Sequence, residues 1–298
     1  MDELPISPQG RLGRMLRSLP FASRLGEAGM RLVASMRRSL QSLRTGSPEV
    51  EAVRDGIVYR LDIGEYVQMR IFFDRVVPTY EVAELEFAKR VLRPGDVAVD
   101  VGAHVGLYAL TFSREVGPAG RVLALEPDPR NRERLEANIG LNAFAGNVAM
   151  LAVAASDEGG TAVLHLSETS SRNSFYSLTD TTMIDAISVE KVTLDDCCAR
   201  QGVSRVRLLK IDVEGHEPAV LRGASGLLSA QAIDYVMLEY VGDRVHELGL
   251  DGVPVDALFA SGGYRRIFPK SPPQEWPQVV NLVYASPAAE DASSNSST

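Results

Sequence analysis

The sequence predicts an α/β protein that has a mostly parallel sheet with helices on both faces. Strand-like and helix-like runs alternate regularly between residues 97 and 238. Such alternation is typical of βαβ units, in which each crossover helix covers the sheet. The strand-like runs are almost continuously apolar, as strands buried on both faces are. The first of these runs also leads into a glycine turn, Gly102 to Gly106, at the start of a helix.

The elements follow in chain order from their apolar spacing and turn residues. Residues 57–61 with Gly64 predict a short hairpin within 56–69, and a helix is expected over 80–91. The alternating strands are expected at 97–101, 121–125, 148–153, 206–211 and 235–238. The helices among them are expected at 105–114, 130–141 and 217–228.

Two further strands, 161–166 and 187–192, bracket a Ser/Thr-rich loop at 167–185. Loops of that length inside a compact domain are usually functional, so this one is the predicted acceptor-binding loop. Residues 264–267 and 279–284 predict a final antiparallel pair.

Charge divides the chain into a basic extension and an acidic body. Residues 1–46 carry eight arginines and three acids, which leaves a net charge of −13 on the rest of a chain whose total is −8. An acidic body repels phosphate, so no nucleic-acid partner is expected for it. The extension contains a basic amphipathic helix, which either packs on the main domain or docks to a membrane or a protein. We assign 47–285 to the main domain and 286–298 to a disordered tail.

Composition also bounds the location of the protein. No apolar run approaches the ~18 residues that span a bilayer, and charges interrupt every candidate signal sequence. The two cysteines, Cys197 and Cys198, are adjacent and cannot form a disulfide framework. We therefore expect a cytoplasmic protein with two packed thiols, the alternative being a vicinal redox pair.

The glycine turn predicts a site for a nucleoside cofactor. Gly102 allows a tight turn and close approach of a ligand, and Gly106 allows the helix to pack closely on the sheet. Glu126, which follows the second strand, can accept hydrogen bonds from both hydroxyls of a ribose. A nicotinamide fingerprint would need further glycines where His104 and Leu107 stand. Asp100 would repel a pyrophosphate but suits a cation, which favours S-adenosyl-L-methionine with its sulfonium and α-ammonium groups.

On these residues the sequence resembles the FkbM-type family of class I S-adenosylmethionine-dependent methyltransferases. The most specific match is the segment Leu209-Lys210-Ile211-Asp212-Val213-Glu214-Gly215-His216-Glu217. The other matching pieces are 93–96, 100–106, 125–129, 138–142, 193–196, 221–224 and Glu239. The family usually carries Asn where His104 stands and a small residue where His216 stands.

The resemblance implies a Rossmann-like sheet of seven strands whose last two form the antiparallel pair near the C-terminus. It places Asp100, Gly102, Ala103 and His104 beside the methionine part of the cofactor. Glu126 would hold the ribose with Pro127 beside it. Ala154, Ala155 and Ser156 would lie along the adenine edge.

The turn after the fourth strand is the predicted catalytic site, because an open α/β sheet places its ligand crevice at the carboxyl ends of its strands. An acceptor hydroxyl needs a base and a fixed position for in-line attack on the sulfonium methyl. Asp212 or His216 could be that base, and Glu214 and Glu217 could orient it. Glu217 also has a position suited to capping. A divalent metal could instead lower the pKa of the hydroxyl, but no motif such as His-x-x-x-His supports one, so none is predicted.

The sequence therefore predicts an S-adenosylmethionine-dependent methyltransferase. The family's substrates imply O-methylation of a sugar or specialised metabolite, so the partner is a small-molecule or glycan hydroxyl. Two alternatives stay open: an NAD(P)-dependent oxidoreductase, and an inactive scaffold that docks through residues 1–46. Neither the acceptor nor the oligomeric state follows from the sequence.

Overall fold

A computed structural model describes residues 49–74, 81–168, 170–176, 182–240, 255–269 and 280–289. The chain divides into two compact units at the bond between Ala83 and Glu84. The whole basic extension, 1–46, lies outside the described residues, and so does the amphipathic helix predicted within it. Residues 47–48 and the end of the tail, 290–298, also lie outside them. Within the described residues, no helix combines the length and the apolar character that a bilayer span requires.

The described part of the first unit contains a hairpin followed by a helix. Strand β1 (Glu49–Arg54) pairs antiparallel with β2 (Ile57–Asp62) through Asp55 and Gly56, which both have positive φ. The pair Asp-Gly favours such two-residue turns. Our prediction of a strand at 57–61 is therefore confirmed, but its partner was misplaced. We expected the partner after Gly64, and the structure has it before residue 56, as β1. The chain after β2 continues as helix α1 (Tyr66–Asp74), where we predicted no helix.

The second unit is built on a seven-stranded sheet of order β11-β12-β10-β9-β3-β4-β5. The five strands from β10 to β5 run parallel, and β12 is antiparallel to both of its neighbours. This arrangement confirms the predicted fold class. The strands are β3 (Val97–Val101), β4 (Arg121–Leu125), β5 (Val148–Leu151), β9 (Val206–Ile211), β10 (Ile233–Tyr240), β11 (Arg265–Phe268) and β12 (Val280–Ala285).

Helices connect these strands. They are α2 (Val82–Val91), α3 (Leu107–Val116), α4 (Pro129–Gly140), α5 (Leu194–Arg200), α6 (Glu217–Arg222), α7 (Ser225–Ser229) and α8 (Val255–Leu258). The helix predicted over 217–228 is broken in two at Gly223. A Cβ on Gly223 would lie 1.9 Å from the carbonyl oxygen of Ser156. The second helix then starts anew, because Asp195 accepts hydrogen bonds from the N–H groups of Gly226 and Leu227 at 2.8 and 2.9 Å.

A smaller sheet of order β6-β8-β7 carries the predicted acceptor loop. Its strands are β6 (Ala154–Ala155), β7 (Gly160–Ser167) and β8 (Met183–Val192). The loop is shorter than predicted, because β7 extends to Ser167 and β8 begins at Met183. Within it, Ser174 makes an isolated antiparallel bridge to His165 through two backbone hydrogen bonds of 2.9 and 3.2 Å. Residues 169 and 177–181 of this loop lie outside the described ranges.

The core of the second unit packs between the large sheet and its helices. Cys197 and Cys198 are both buried in it, as expected of packed thiols. Burial raises the pKa of both thiols, that of Cys198 to about 12. Ser286, which we assigned to the tail, is buried and its N–H donates to the carbonyl oxygen of Asp234.

Candidate active site

The glycine turn after β3 is fixed against the neighbouring strand. The N–H groups of Gly102 and Ala103 both donate to the carbonyl oxygen of Leu125, each at 3.0 Å. Gly102 has φ +82°, and Gly106, directly before α3, has φ +96°. These left-handed conformations favour glycine, so the backbone of the turn is set by the two residues that the sequence singled out.

Asp100 is a buried carboxylate at the carboxyl end of β3. It is 1% exposed, and neither of its oxygens has a partner in good hydrogen-bond geometry among the described residues, although the nearby N–H of Ala109 helps to lower its pKa. Burial raises its pKa to about 6, while the nearby Lys210 acts to lower it. An unpaired buried carboxylate is costly, so a bound cation would relieve this one. This orphaned group therefore fits a cofactor that carries an ammonium or a sulfonium.

Glu126 joins the glycine turn to the start of α4. Its Oε2 accepts the N–H of His104 at 2.8 Å, and its Oε1 accepts the N–H of Asp128 at 2.9 Å. Burial raises the pKa of Glu126 to about 7, against the lowering effect of these bonds. Oε1 also accepts a hydrogen bond from the side-chain amide of Asn131 at 3.4 Å. Oε2 accepts only the bond from His104 among the described residues, so it keeps a lone pair for a ribose hydroxyl. Beside it, the carbonyl oxygen of Pro127 accepts a hydrogen bond from Arg132.

His104 points from the turn toward the predicted acceptor loop. Its φ of +50° is a conformation that Asn and His adopt more readily than most residues. Its ring Nε2 lies 3.0 Å from the hydroxyl of Ser170. Burial lowers the pKa of His104 to about 4, so the ring is neutral at pH 7.

Asp212 follows β9 at the sheet edge and pairs with Lys210. The Lys210 Nζ lies 2.8 Å from Asp212 Oδ2 and 4.5 Å from the centroid of the Tyr108 ring. Burial alone would raise the pKa of Asp212. The Lys210 ammonium and a hydrogen bond with Glu239 outweigh that effect, so this pKa lies below its usual value. Asp212 is thus an ionised carboxylate, and it keeps about a third of its side chain exposed.

Three acids meet at this edge. Asp212, Glu214 and Glu239 each offer a carboxylate oxygen, and these oxygens lie within 4.8 Å of one another. Such a spacing suits a divalent cation in geometry, although Lys210 already contacts one of the three.

Glu217 holds the turn after β9 in place. Its side chain is fully buried, and Oε1 accepts the N–H groups of Gly215 and Val213 at 3.0 and 3.3 Å. Its Oε2 has no hydrogen-bond partner among the described residues. Burial raises the pKa of Glu217 to about 7.

Both ring nitrogens of His216 are engaged. Nε2 lies 3.0 Å from the hydroxyl of Ser156, and Nδ1 lies 3.1 Å from the hydroxyl of Tyr176. The Phe175 ring packs edge-on against it with centroids 4.8 Å apart. Burial lowers the pKa of His216 to about 4. The ring therefore lies beside Ser156, at the predicted adenine edge, and both of its nitrogens already have a hydrogen-bond partner.

Residues 170–176, which we call the bridging segment, contact both turns. At one end, Ser170 meets His104, and the amide of Asn173 donates to Asp128 Oδ2 at 2.6 Å. At the other end, the Ser174 hydroxyl donates to the carbonyl oxygen of Glu214 at 3.2 Å, and Tyr176 meets His216. The predicted acceptor loop therefore lies over the cofactor turn as well.

The predicted site residues form three groups. The first, around the glycine turn, contains Asp100, Gly102, Ala103, His104, Gly106, Glu126 and Pro127. The second, after β9, contains Asp212, Glu214 and Glu217. The third joins His216 to Ser156, which follows the buried Ala155 of β6.

Sequence reasoning missed several residues of the site. Tyr108, which faces Lys210, and Phe175, which packs on His216, were not proposed for it. Asp128 and Asn131 were also missed, although both follow Glu126 closely. Asp128 caps α4 by accepting the N–H of Arg130 at 2.8 Å. Its position directly before Pro129, the first residue of the helix, was the sequence signal that could have identified it.

Fold and site together define the class of protein. The chain has a seven-stranded sheet with an antiparallel last pair, a glycine turn after the first parallel strand and an acid after the second. Together these features are those of a Rossmann-like methyltransferase.

Comparisons with known proteins agree. The family model described as "Methyltransferase FkbM domain" matches residues 100–266. The 31-O-demethyl-FK506 methyltransferase FkbM of Streptomyces tacrolimicus is 30% identical over 238 residues, which are 70% of this chain and 84% of that protein. The chain belongs to the FkbM methyltransferase family.

The comparisons also found a second curated relative and a solved structure with limited similarity. The 2-O-methyltransferase NoeI of Sinorhizobium fredii is 27% identical over 169 residues, covering 52% of this chain and 67% of that protein. The crystal structure of methyltransferase FkbM from Methylobacillus flagellatus has 15% identity and a TM-score of 0.42, covering 74% of this chain and 54% of that one. Membership of the family confirms S-adenosylmethionine as the cofactor.

Proposed function

We propose that the protein transfers the methyl group of S-adenosylmethionine to a hydroxyl oxygen of a sugar or a specialised metabolite. One observation carries the proposal: the ionised Asp212 directly follows β9, beside the turn that follows Asp100 and β3. The printed names of two relatives, a 31-O-demethyl-FK506 methyltransferase and a 2-O-methyltransferase, support oxygen as the accepting atom.

The residues around the glycine turn fit the cofactor. Asp100 would pair with its cationic methionine part, with Gly102, Ala103 and His104 alongside. Glu126 would hold the ribose hydroxyls, and Ala155 and Ser156 would line the adenine edge. When bound, the cofactor supplies an electrophilic methyl group on a sulfonium.

Asp212 would hold the acceptor hydroxyl by accepting its hydrogen bond. Its low pKa makes it a weak base, so its main contribution is position, which fixes the oxygen for in-line attack. As the O–C bond forms and the C–S bond breaks, the O–H becomes strongly acidic, and even a weak base then takes the proton. His216 is a poorer candidate, because both of its nitrogens are engaged and its pKa is low.

The remaining expectations belong to the proposal. The acceptor is a small molecule or a glycan rather than nucleic acid, and the basic residues 1–46 either pack on the main domain or fray in solution, or dock to a membrane or a protein. Glu214 would contact the acceptor beside Asp212. Glu217 would fix the backbone of the turn after β9 through its hydrogen bonds to Val213 and Gly215. Family membership removes the reason to pursue an oxidoreductase. The sequence also has His104 and Leu107 at the two positions where a nicotinamide-binding motif needs glycine.

Titration calorimetry with S-adenosylmethionine, S-adenosylhomocysteine and NADPH tests the cofactor. We expect micromolar binding of the two sulfur compounds that is lost in Asp100→Ala and Glu126→Ala, and no binding of NADPH. A wild-type protein that bound neither sulfur compound would contradict the proposal.

Methyl-labelled cofactor with a panel of sugar and metabolite alcohols then tests the acceptor. Asp212→Asn keeps the shape of the side chain but removes its charge, so turnover should fall by about a hundredfold. The matched control is Asp196→Asn, an exposed acid on α5 away from the site. Labelling of an amine in place of any hydroxyl would contradict O-methylation.

A further inference from the structure

Lys210 is a buried lysine whose ammonium group lies among carboxylates. Only 4% of the residue is exposed, although lysine is rarely buried without a partner. Strand register places it opposite Asp100 of β3 on one side and Met237 of β10 on the other. Its charged end reaches Asp212 at 2.8 Å and lies over the ring of Tyr108. The position of this ammonium is therefore fixed by the central strands of the sheet.

The surrounding acids need a cation. Asp212, Glu214 and Glu239 bring carboxylate oxygens within 4.8 Å of one another, and Asp100 lies close enough that Asp212 raises its pKa. Ionising all of these carboxylates together is costly unless a positive charge or a shared proton compensates them, and Asp212 already shares a hydrogen bond with Glu239. Two kinds of cation could do so, a divalent metal or an ammonium group. Lys210 supplies the second and already lowers the pKa of both Asp100 and Asp212.

We propose that Lys210 is the resident cation of this acid cluster and takes the place of a divalent metal. It is a positioning residue, because it acts on the acceptor through Asp212, which it keeps ionised and aligned. The acceptor part of this inference rests on the proposed methyl transfer. The cation part does not, because it concerns only which positive charge the cluster holds.

An ammonium group and a metal have different consequences at this edge. Lys210 has one charge and three donors, and its backbone is held in the sheet, so it cannot dissociate. A metal would bring two charges and would require several oxygen ligands around one point. With the lysine in place, a metal would have to displace or closely approach an ammonium that is 2.8 Å from Asp212. The wild-type cluster should therefore bind divalent ions poorly.

Manganese binding, followed by electron paramagnetic resonance and calorimetry on the full chain, tests this directly. Wild type should show no stoichiometric site at millimolar Mn²⁺. Lys210→Met removes the charge and keeps an unbranched side chain that is one atom shorter, so one Mn²⁺ should bind at least about tenfold more tightly than to wild type. Lys210→Arg restores a cation and should again show no site. Lys191→Met is the matched control, because Lys191 pairs with Glu158 outside the cluster and its loss should change nothing.

Two results would overturn the proposal. In the first, wild type binds one Mn²⁺ that Glu239→Gln abolishes, which would make the metal the natural cation. In the second, Lys210→Met folds and binds cofactor but gains no Mn²⁺ site. If Lys210→Met does not fold, wild type and Glu239→Gln alone decide the question. Cofactor binding by wild type is measured separately, so a failure of the methyltransferase proposal would be recognised as such.

Discussion

A Cβ atom on Gly102 would lie 2.0 Å from the backbone carbonyl oxygen of Asp212. The turn after β3 and the turn after β9 are therefore in direct backbone contact. This contact brings the residue proposed to hold the acceptor beside the turn proposed to hold the cofactor. Any side chain at position 102 would therefore collide with the backbone of Asp212.

Gly102→Ala should damage both the fold and the site. The added methyl group collides with backbone, and φ +82° strains any residue other than glycine. We expect a loss of about 2–4 kcal/mol in unfolding free energy and no measurable cofactor binding. Chemical denaturation and calorimetry measure the two effects. Gly140→Ala is the control, because a Cβ there meets no atom within 4 Å. A stable Gly102→Ala protein that bound cofactor normally would refute the close contact.

Cofactor affinity should depend on pH through Asp100. Its pKa of about 6 means that the carboxyl group is largely neutral below that pH. A cation binds the ionised form, so affinity for S-adenosylmethionine should fall as pH drops through 6, by up to about tenfold per unit. Binding near pH 6 should also release a proton, which calorimetry in buffers of different ionisation enthalpy detects. Asp100→Asn should bind weakly at every pH, and an unchanged slope in that variant would contradict the assignment.

Glu217 should make the protein less stable at high pH. Its folded-state pKa of about 7 lies above the ordinary 4.5, so the folded state binds this proton more tightly than the unfolded state does. That stabilisation is fully present below about pH 4.5 and is lost as pH rises through 7. Glu217→Gln removes the titration. Its unfolding free energy relative to wild type should therefore rise by about 1–3 kcal/mol between about pH 4.5 and pH 8.

Urea denaturation across that range measures the difference for Glu217→Gln. Glu133→Gln is the control, because Glu133 is exposed on α4. The relevant quantity is how the difference in unfolding free energy between variant and wild type changes with pH. Its absolute value is not informative, because the substitution also places an amide donor where Oε2 has no partner. A difference that stayed constant from low to high pH would show that Glu217 does not titrate in this range.

The bridging segment should contribute to cofactor retention. Asn173 donates to the fully buried Asp128 at 2.6 Å and accepts the N–H of Ser167 at 2.8 Å. Asn173→Ala removes these two bonds and a third that Oδ1 accepts from Arg130 at 3.3 Å. It should weaken S-adenosylhomocysteine binding by about 1–2 kcal/mol, seen as faster dissociation in stopped-flow fluorescence. Thr161→Ala, an exposed change on β7, serves as the comparison. Identical dissociation rates in the two variants would exclude this role for the segment.

Local sequence was sufficient for the parallel strands and the glycine turn. β3, β4 and β9 have the predicted bounds, because short apolar runs with clear turn residues identify buried strands. The break between α6 and α7 could not be predicted from the sequence, since it depends on Ser156 and Asp195 from distant segments. The hairpin was misplaced because residues 49–54 have no strict alternation of apolar and polar residues.

The site was predictable in its residue types more than in its electrostatics. Asp100, Glu126 and Asp212 occupy strand ends as expected, because motif and strand pattern coincide there. The neutral state of His216 was not foreseen, since it depends on burial against Phe175 and on bonds to two other segments. The contact of Lys210 with Asp212 was not foreseen either, although the two residues lie only two positions apart in the chain.

The bridging segment has a consequence for the timing of the catalytic cycle. One short stretch of chain touches the turn for the nucleoside and the turn for the acceptor, so neither turn can open without loosening its hold on the other. Entry and exit of the two ligands are then linked events. We expect compulsory-order kinetics in which the nucleoside cofactor binds first and its demethylated product leaves last. That product should then inhibit competitively with respect to the cofactor but not with respect to the acceptor.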